Sequence, residues 1–130
     1  MKTILIIGGG AAGIFAANIC AELCPDAKVI VLEKTRQLLA KVKISGGGRC
    51  NVTHAEFDPK KLVHHYPRGN KELLGPFHHF QPKDTIKWFE DHGVTLKTEE
   101  DGRMFPITDS SETIIHALLS SAKEKGVEIR

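Results

Sequence analysis

The sequence predicts an α/β fold with a parallel sheet at its centre, and three observations predict it. A short apolar run, Ile4-Leu5-Ile6-Ile7, leads into a glycine-rich turn. From Ala11 to Cys24 only Asn18 and Glu22 are strongly polar, the pattern of a largely buried helix with one narrow wet stripe. A second apolar run, Lys28 to Glu33, follows. Both runs are short, continuous and rich in β-branched residues, so they read as strands covered on both faces, as in a parallel sheet. Strand, helix and strand over residues 3–34 make a βαβ unit with a right-handed crossover.

Bulk composition agrees with a globular chain. Its 130 residues are 41% hydrophobic and 26% charged, which suits one folded domain rather than a disordered segment. The net charge is +2 with both signs interspersed and no basic block, so nucleic acid is not an expected partner. Lys2 and the apolar run after it resemble a leader, but glycines break that run at a spacing with its own purpose. No apolar stretch is long enough to cross a membrane, and none is expected to bind one. Cys20, Cys24 and Cys50 do not make a disulfide framework, so a reducing cytoplasm is the expected setting. Cys20 and Cys24, four apart on the helix, read as small core residues.

Gly8, Gly10 and Gly13 fit G-x-G-x-x-G between the first strand and the helix. Gly8 permits the tight turn, Gly10 lets a pyrophosphate approach the backbone, and Gly13 lets the helix pack close to the strand. The first N–H groups of the helix, aided by its dipole, face the phosphates. Glu33 ends the second strand, where a carboxylate accepts hydrogen bonds from ribose hydroxyls and repels a 2′-phosphate. It argues against NADP in this site and does not separate NAD from FAD.

Residues 36–44 predict a short helix, with Leu38, Leu39, Val42 and Ile44 apolar. Then comes Ser45-Gly46-Gly47-Gly48-Arg49-Cys50-Asn51. Successive glycine N–H groups can form a concave anion nest. Ser45 and Asn51 add polar arms, and Lys41, Lys43 and Arg49 add positive charge. The loop suits a phosphate, ribityl hydroxyls or the polar edge of a flavin; its composition is also that of a plain surface loop. Cys50 is either a small side chain packed beside a cofactor or a redox thiol.

The remaining elements follow in order. A short helix starts at Pro59 within residues 58–66, and a second, over 70–80, is interrupted at Gly75-Pro76. A third runs from Pro82, packs Ile86, Trp88 and Phe89, and stops at Gly93. Residues 94–106 read as a hairpin turning at Glu100-Asp101-Gly102. Asp109 and Glu112 have capping-box spacing with Asp109 as the cap, and Ile115, Leu118, Leu119 and Ala122 form the apolar face of the last helix. Val127 to Ile129 start another strand. His64-His65 and His78-His79 are adjacent pairs whose side chains diverge by about 100° on a helix, so no metal site is expected.

Several strings resemble a known family. "IIGGGAAG", Glu33-Lys34 and above all "ISGGGRCNVT" are similar to bacterial NAD(P)/FAD-dependent oxidoreductases of the BaiN-type or aminoacetone-oxidase-like family, and "DGRMFPITDSSETIIHALL" is similar to that family's G-R-x-F-P segment and the helix after it. The resemblance implies a Rossmann-like FAD/NAD(P)-binding core with a helical segment and a β-hairpin. The chain is then the N-terminal part of an FAD-binding domain: βαβ unit 3–34, second cofactor loop 41–54, helical region 58–93, hairpin and helix 94–125, and the start of a further strand at 127–130. It implies FAD, with Gly8, Gly10 and Gly13 at the pyrophosphate, Ala11 and Ala12 in the same turn, and Glu33 at the adenosine ribose followed by Lys34. Ser45, Gly46, Gly47, Gly48, Arg49, Cys50 and Asn51 then lie along the cofactor towards the flavin, with Lys41 at a basic position before them. It implies a flavin-dependent oxidoreductase of a small organic substrate, with NAD(P)H a candidate reductant and no catalytic residue identified.

The chain departs from the family in three ways. His54 stands where many relatives carry asparagine, Leu39 stands where a glycine is common, and family members are several times longer. The chain therefore reads as an N-terminal fragment, inactive alone, whose sheet lacks later strands and exposes its edges. Relatives are linked both to amine oxidation and to reduction of conjugated rings, so the fold chooses no substrate. An NAD-linked dehydrogenase explains Gly8 to Glu33 and leaves Ser45 to Asn51 without a role. A non-catalytic dinucleotide-binding module is the third reading.

Overall fold

The computed structural model describes residues 1–130. In chain order the elements are β1 (Thr3–Ile7), α1 (Ala11–Leu23), β2 (Lys28–Leu32), α2 (Ala40–Ile44), β3 (Thr53–His54), α3 (Pro59–Leu62), α4 (Asn70–His79), α5 (Pro82–Asp91), β4 (Leu96–Thr98), β5 (Arg103–Pro106), α6 (Ser111–Glu124) and β6 (Glu128–Ile129). They form two compact units, one from residues 1–50 and 108–130, the other from residues 51–107.

The first unit holds a parallel sheet in the order β1-β2-β6. Its register pairs Leu5 with Ile30 and Ile6 with Val31, and β6 adds Ile30 with Glu128. The central strand is buried through Val29, Ile30 and Val31. β1 corrects an expectation. It alternates instead of being covered on both faces: Leu5 is 58% and Ile7 78% exposed, while Ile4 and Ile6 are half-buried. β1 is an edge strand, and only the Ile4/Ile6 side meets α1.

Asn18 is not on a wet stripe either. It is fully buried, and its Nδ2 donates to the Ile14 carbonyl at 3.0 Å and to the Leu118 carbonyl of α6 at 3.1 Å. The outward positions of α1 are instead Ala11, Ala12, Ala16, Glu22 and Leu23. Cys24 ends the helix exposed and Cys20 is half-buried, so Cys24 is not a core residue. Asn18→Ala is expected to cost about 1–3 kcal/mol, because the Leu118 carbonyl loses a buried donor; urea unfolding measures it.

The cap of α6 also differs from the expected one. Ser110 accepts from the Glu112 N–H at 3.3 Å, whereas Asp109 sits at φ 54 and pairs with Arg49 at 3.2 Å. The hydroxyl one residue nearer the helix reaches the N–H, and Asp109 is turned away. The buried face of α6 runs through Ser111, Ile114, Ala117, Leu118, Ser121 and Ala122, so Ile115 and Leu119 lie at its margin. Ser111 donates to the Lys43 carbonyl at 2.8 Å, which ties α6 to the end of α2. The helix expected over 36–44 starts only at Ala40. Leu39 precedes it at φ 55, held there by its N–H on the Gly9 carbonyl at 2.9 Å.

The second unit holds an antiparallel sheet in the order β3-β5-β4. Gly102, at φ +88, makes the turn between β4 and β5. Phe105 is fully buried at the centre, and Met104, Trp88, Phe89 and Val94 are buried in the same unit. Phe57 and Phe80 are exposed at 48% and 41%. α4 runs unbroken through Gly75 and Pro76, against the expected interruption. A proline there forfeits one backbone hydrogen bond, and α4 buries no residue, so water reaches the freed carbonyl. α5 begins with a full capping box: Gln81 accepts from the Lys83 N–H, and Asp84 accepts from the Gln81 N–H at 2.9 Å.

Candidate cofactor-binding site

The turn after β1 has a distinct steric role at each glycine. Gly8 sits at φ +103, a conformation that L side chains rarely adopt, and donates to the Leu32 carbonyl at 2.8 Å. A Cβ on Gly13 would lie 1.9 Å from the Gly8 carbonyl oxygen, so only glycine lets α1 pack this close. Gly10 is the opposite case: nothing lies within 4 Å of its missing Cβ. Gly10 also caps α1 without a side-chain hydrogen bond, so the N–H groups of Ala11, Ala12 and Gly13 open a 13-residue helix beside free space. Such N–H groups and such space fit a pyrophosphate.

Gly9 is the residue that motif reasoning passes over. Its N–H donates to Glu33 Oε2 at 2.8 Å, and a Cβ there would meet Leu38 at 2.5 Å and Glu33 Cβ at 3.2 Å. The run of three glycines in the sequence is the signal that could have found it. Glu33 Oε1 accepts from the Thr35 N–H at 2.9 Å. The Gly9 N–H first, and Thr35 next, hold this carboxyl below the ordinary glutamate range. A lowered value makes the stabilising contribution of Glu33 complete above the unfolded value, and it fades as the pH falls through the folded one. A carbon-detected titration of Glu33 is expected to show a midpoint below that of an unfolded peptide glutamate, and Glu33→Gln should flatten the acid limb of the stability curve.

The second loop is a left-handed run. Gly46, Gly47 and Gly48 lie at φ 56, 68 and 86, which is the physical reason for three glycines in succession. Nothing lies within 4 Å of the missing Cβ of Gly47 or Gly48. Cys50 follows at φ 62, buried, with its N–H on the Ser45 carbonyl at 3.0 Å. Burial pushes its thiol up, with the Ser45 hydroxyl partly offsetting this. Ser45 donates its hydroxyl inward to the Val42 carbonyl at 2.9 Å. Arg49 is engaged by Asp109, and Lys43 lies 3.8 Å from Glu112, while Lys34 and Lys41 are exposed. Asn51, exposed, is the first residue of the second unit. The structure thus brings Gly8 to Gly13 and Glu33 into direct contact, and joins Ser45 to Cys50 to them through α2 and Leu39.

Residues 2–130 match the HI0933-like protein Rossmann domain. The chain belongs to the HI0933-like family. Its Rossmann-like fold, with a parallel sheet and the glycine turn at its strand–helix junction, is therefore the fold of that family. The HI0933-like chain is 30% identical over 129 residues to a 3-dehydro-bile acid delta(4,6)-reductase of Clostridium scindens, a match covering 99% of this chain and 31% of the relative. It is 31% identical to a ribosomal RNA dihydrouridine synthase of Haemophilus influenzae, covering 96% of this chain and 30% of that one, and 30% identical to the Escherichia coli protein of the same name, covering 97% and 30%. The chain spans about a third of the length of these curated relatives. A crystal structure of Thermovibrio ammonificans THI4 shares the fold at a TM-score of 0.60 and 15% identity, covering 99% of this chain and 37% of that one. No helix of the HI0933-like chain is long and apolar enough to cross a membrane.

Proposed function

We propose that this chain is the FAD-binding portion of a flavin-dependent oxidoreductase acting on a small organic molecule. One observation carries the reading: the same unit contains two glycine cradles, the turn at Gly8 to Gly13 with Glu33 beside it and the left-handed run Gly46 to Gly48. An NAD-linked dehydrogenase has a use for the first and none for the second. FAD, when bound, supplies hydride transfer at its ring.

The residues of the chain bind and orient. The N–H groups of Ala11, Ala12 and Gly13 hold the pyrophosphate. Glu33 keeps unshared lone pairs for ribose hydroxyls after accepting from Gly9 and Thr35. Lys34 and Lys41 place positive charge where phosphates would approach, Arg49 fixes the second loop through Asp109, and Cys50 fills the space behind it. Gly46 to Gly48 offer N–H groups to the ribityl chain or the polar edge of the flavin.

A delta(4,6)-reductase and a dihydrouridine synthase, as their names state the chemistry, both saturate a carbon–carbon double bond in a ring. We take the substrate class to be a conjugated ring compound, with NAD(P)H as the reductant and a reducing cytoplasm as the setting. Two of the relatives are named for ribosomal RNA; a net charge of +2 without a basic block favours a small molecule here.

The test is the visible spectrum of the purified chain before and after added FAD, with the ligand identified by mass after heat release. A yellow chain releasing FAD supports the reading. A chain that ignores FAD and retains NAD overturns it. Gly47→Val is expected to lower flavin retention, whereas a second loop that is only a surface connection would leave retention unchanged.

A further inference from the structure

The unit formed by residues 51–107 contains a cavity of about 450 Å³. This volume falls within the range of small-molecule pockets. Part of the lining is aromatic: the rings of Tyr66 and Phe77 lie with centroids 5.5 Å apart, and Phe80 joins them. Another part is polar, formed by Asn51, Thr53 and Thr85 with the imidazoles of His54 and His65, whose centroids are 4.3 Å apart. Gln81 also lines the cavity but is engaged by the fold, its Nε2 donating to the Phe57 carbonyl at 2.9 Å.

Charge narrows the ligand. No lysine, arginine, aspartate or glutamate lines the cavity. A polyphosphate would find no fixed cation there, and an ammonium no carboxylate. Amide and hydroxyl groups each donate and accept, so they match an edge that carries both a carbonyl and a ring N–H. Aromatic faces stack on flat rings.

We propose that this cavity is a binding site for a neutral, planar, conjugated ring compound, held by its faces on Tyr66, Phe77 and Phe80 and by its carbonyl and N–H edge on Asn51, Thr53 and Thr85. The site lies within one unit, and the inference rests on the reading above, whose ring compound it places in this cavity. Two sources share this ligand chemistry: the fused ring of a flavin and a separate substrate ring.

The experiment uses the isotope-labelled chain, freed of any bound nucleotide by gel filtration in high salt. It is titrated with lumichrome, which is the flavin ring without its side chain, and separately with 2-quinolone, a two-ring amide. Saturable shifts of the amide signals of Asn51 to His54 and of Thr85 are expected with at least one probe. Lumichrome alone assigns the cavity to a flavin ring, and 2-quinolone alone or both probes to a site that accepts a substrate ring. Phe77→Ala is expected to weaken binding about tenfold, as loss of a stacking surface does. Thr85→Val, which keeps side-chain shape, is expected to weaken it while leaving the spectrum of a folded chain. Absence of saturable shifts with both probes overturns the proposal, as does binding that survives both substitutions. The colour of the chain before nucleotide removal reports on the flavin reading separately.

Discussion

Gly13→Ala is expected to destabilise the first unit by about 3 kcal/mol or more, in the upper range of overpacking effects. The added methyl group would meet the Gly8 carbonyl oxygen at 1.9 Å, and both partners are backbone. Neither can retreat cheaply. Gly8 is bonded through its N–H to Leu32, and Gly13 lies inside α1, whose Asn18 is locked to Leu118. Gly10→Val separates folding from binding at the same turn. No atom lies within 4 Å of the missing Gly10 Cβ and its φ is −84°, so the side chain fits, at a cost of about 1 kcal/mol for a poorer helix cap. It nevertheless closes the space a pyrophosphate needs, so FAD binding is expected to be lost in a chain that still folds. Urea unfolding and FAD titration of both variants measure the two effects. A Gly13→Ala chain as stable as the parent would contradict the close approach of α1 to the turn.

Phe105→Ala is expected to cost about 3–5 kcal/mol in the second unit, the usual range for deleting a buried phenylalanine. Phe105 is fully buried on β5, the middle strand of its sheet, where it stands opposite Lys97 of β4. Arg103, two residues earlier on the same strand face, holds its guanidinium 5.4 Å from the Phe105 ring centroid and loses that partner as well. Phe57→Ala is the comparison: at 48% exposure it should change stability by about 0.5 kcal/mol or less. Thermal unfolding followed by the near-ultraviolet signal of Trp88, which is buried in the same unit, distinguishes them.

The elements that could be foreseen were those with a local cause. The two apolar runs, the glycine spacing, Pro82 at a helix start and Gly102 in a hairpin turn each act within a few residues, and all stand where expected. What could not be foreseen depends on distant partners. Asn18 looked solvated because its acceptor, the Leu118 carbonyl, lies one hundred residues away in the chain. β1 looked doubly covered because a run of isoleucines does not say whether a strand is central or at an edge. Arg49 pairs with Asp109, sixty residues on, a partner that its own loop does not announce. At the candidate site the glycines were visible as a pattern, and their reasons were not. Composition alone cannot show that Gly9 is held against Glu33, or that Gly46 to Gly48 share one handedness.

The division of the chain also bears on the order in which it folds. Residues 51–107 are contiguous and can close on themselves through nearby contacts, whereas the first unit must recruit residues 108–130 from the far side of that segment. The pairing of Val31 with Ile129 closes the longest loop of the sheet, and non-local pairings of this kind form late because the entropy of closure precedes their gain. During synthesis β1 and β2 emerge early and wait with one flank unpaired until β6 arrives. Pulse-labelled hydrogen exchange should therefore protect the amides of β5 before those that join β2 to β6.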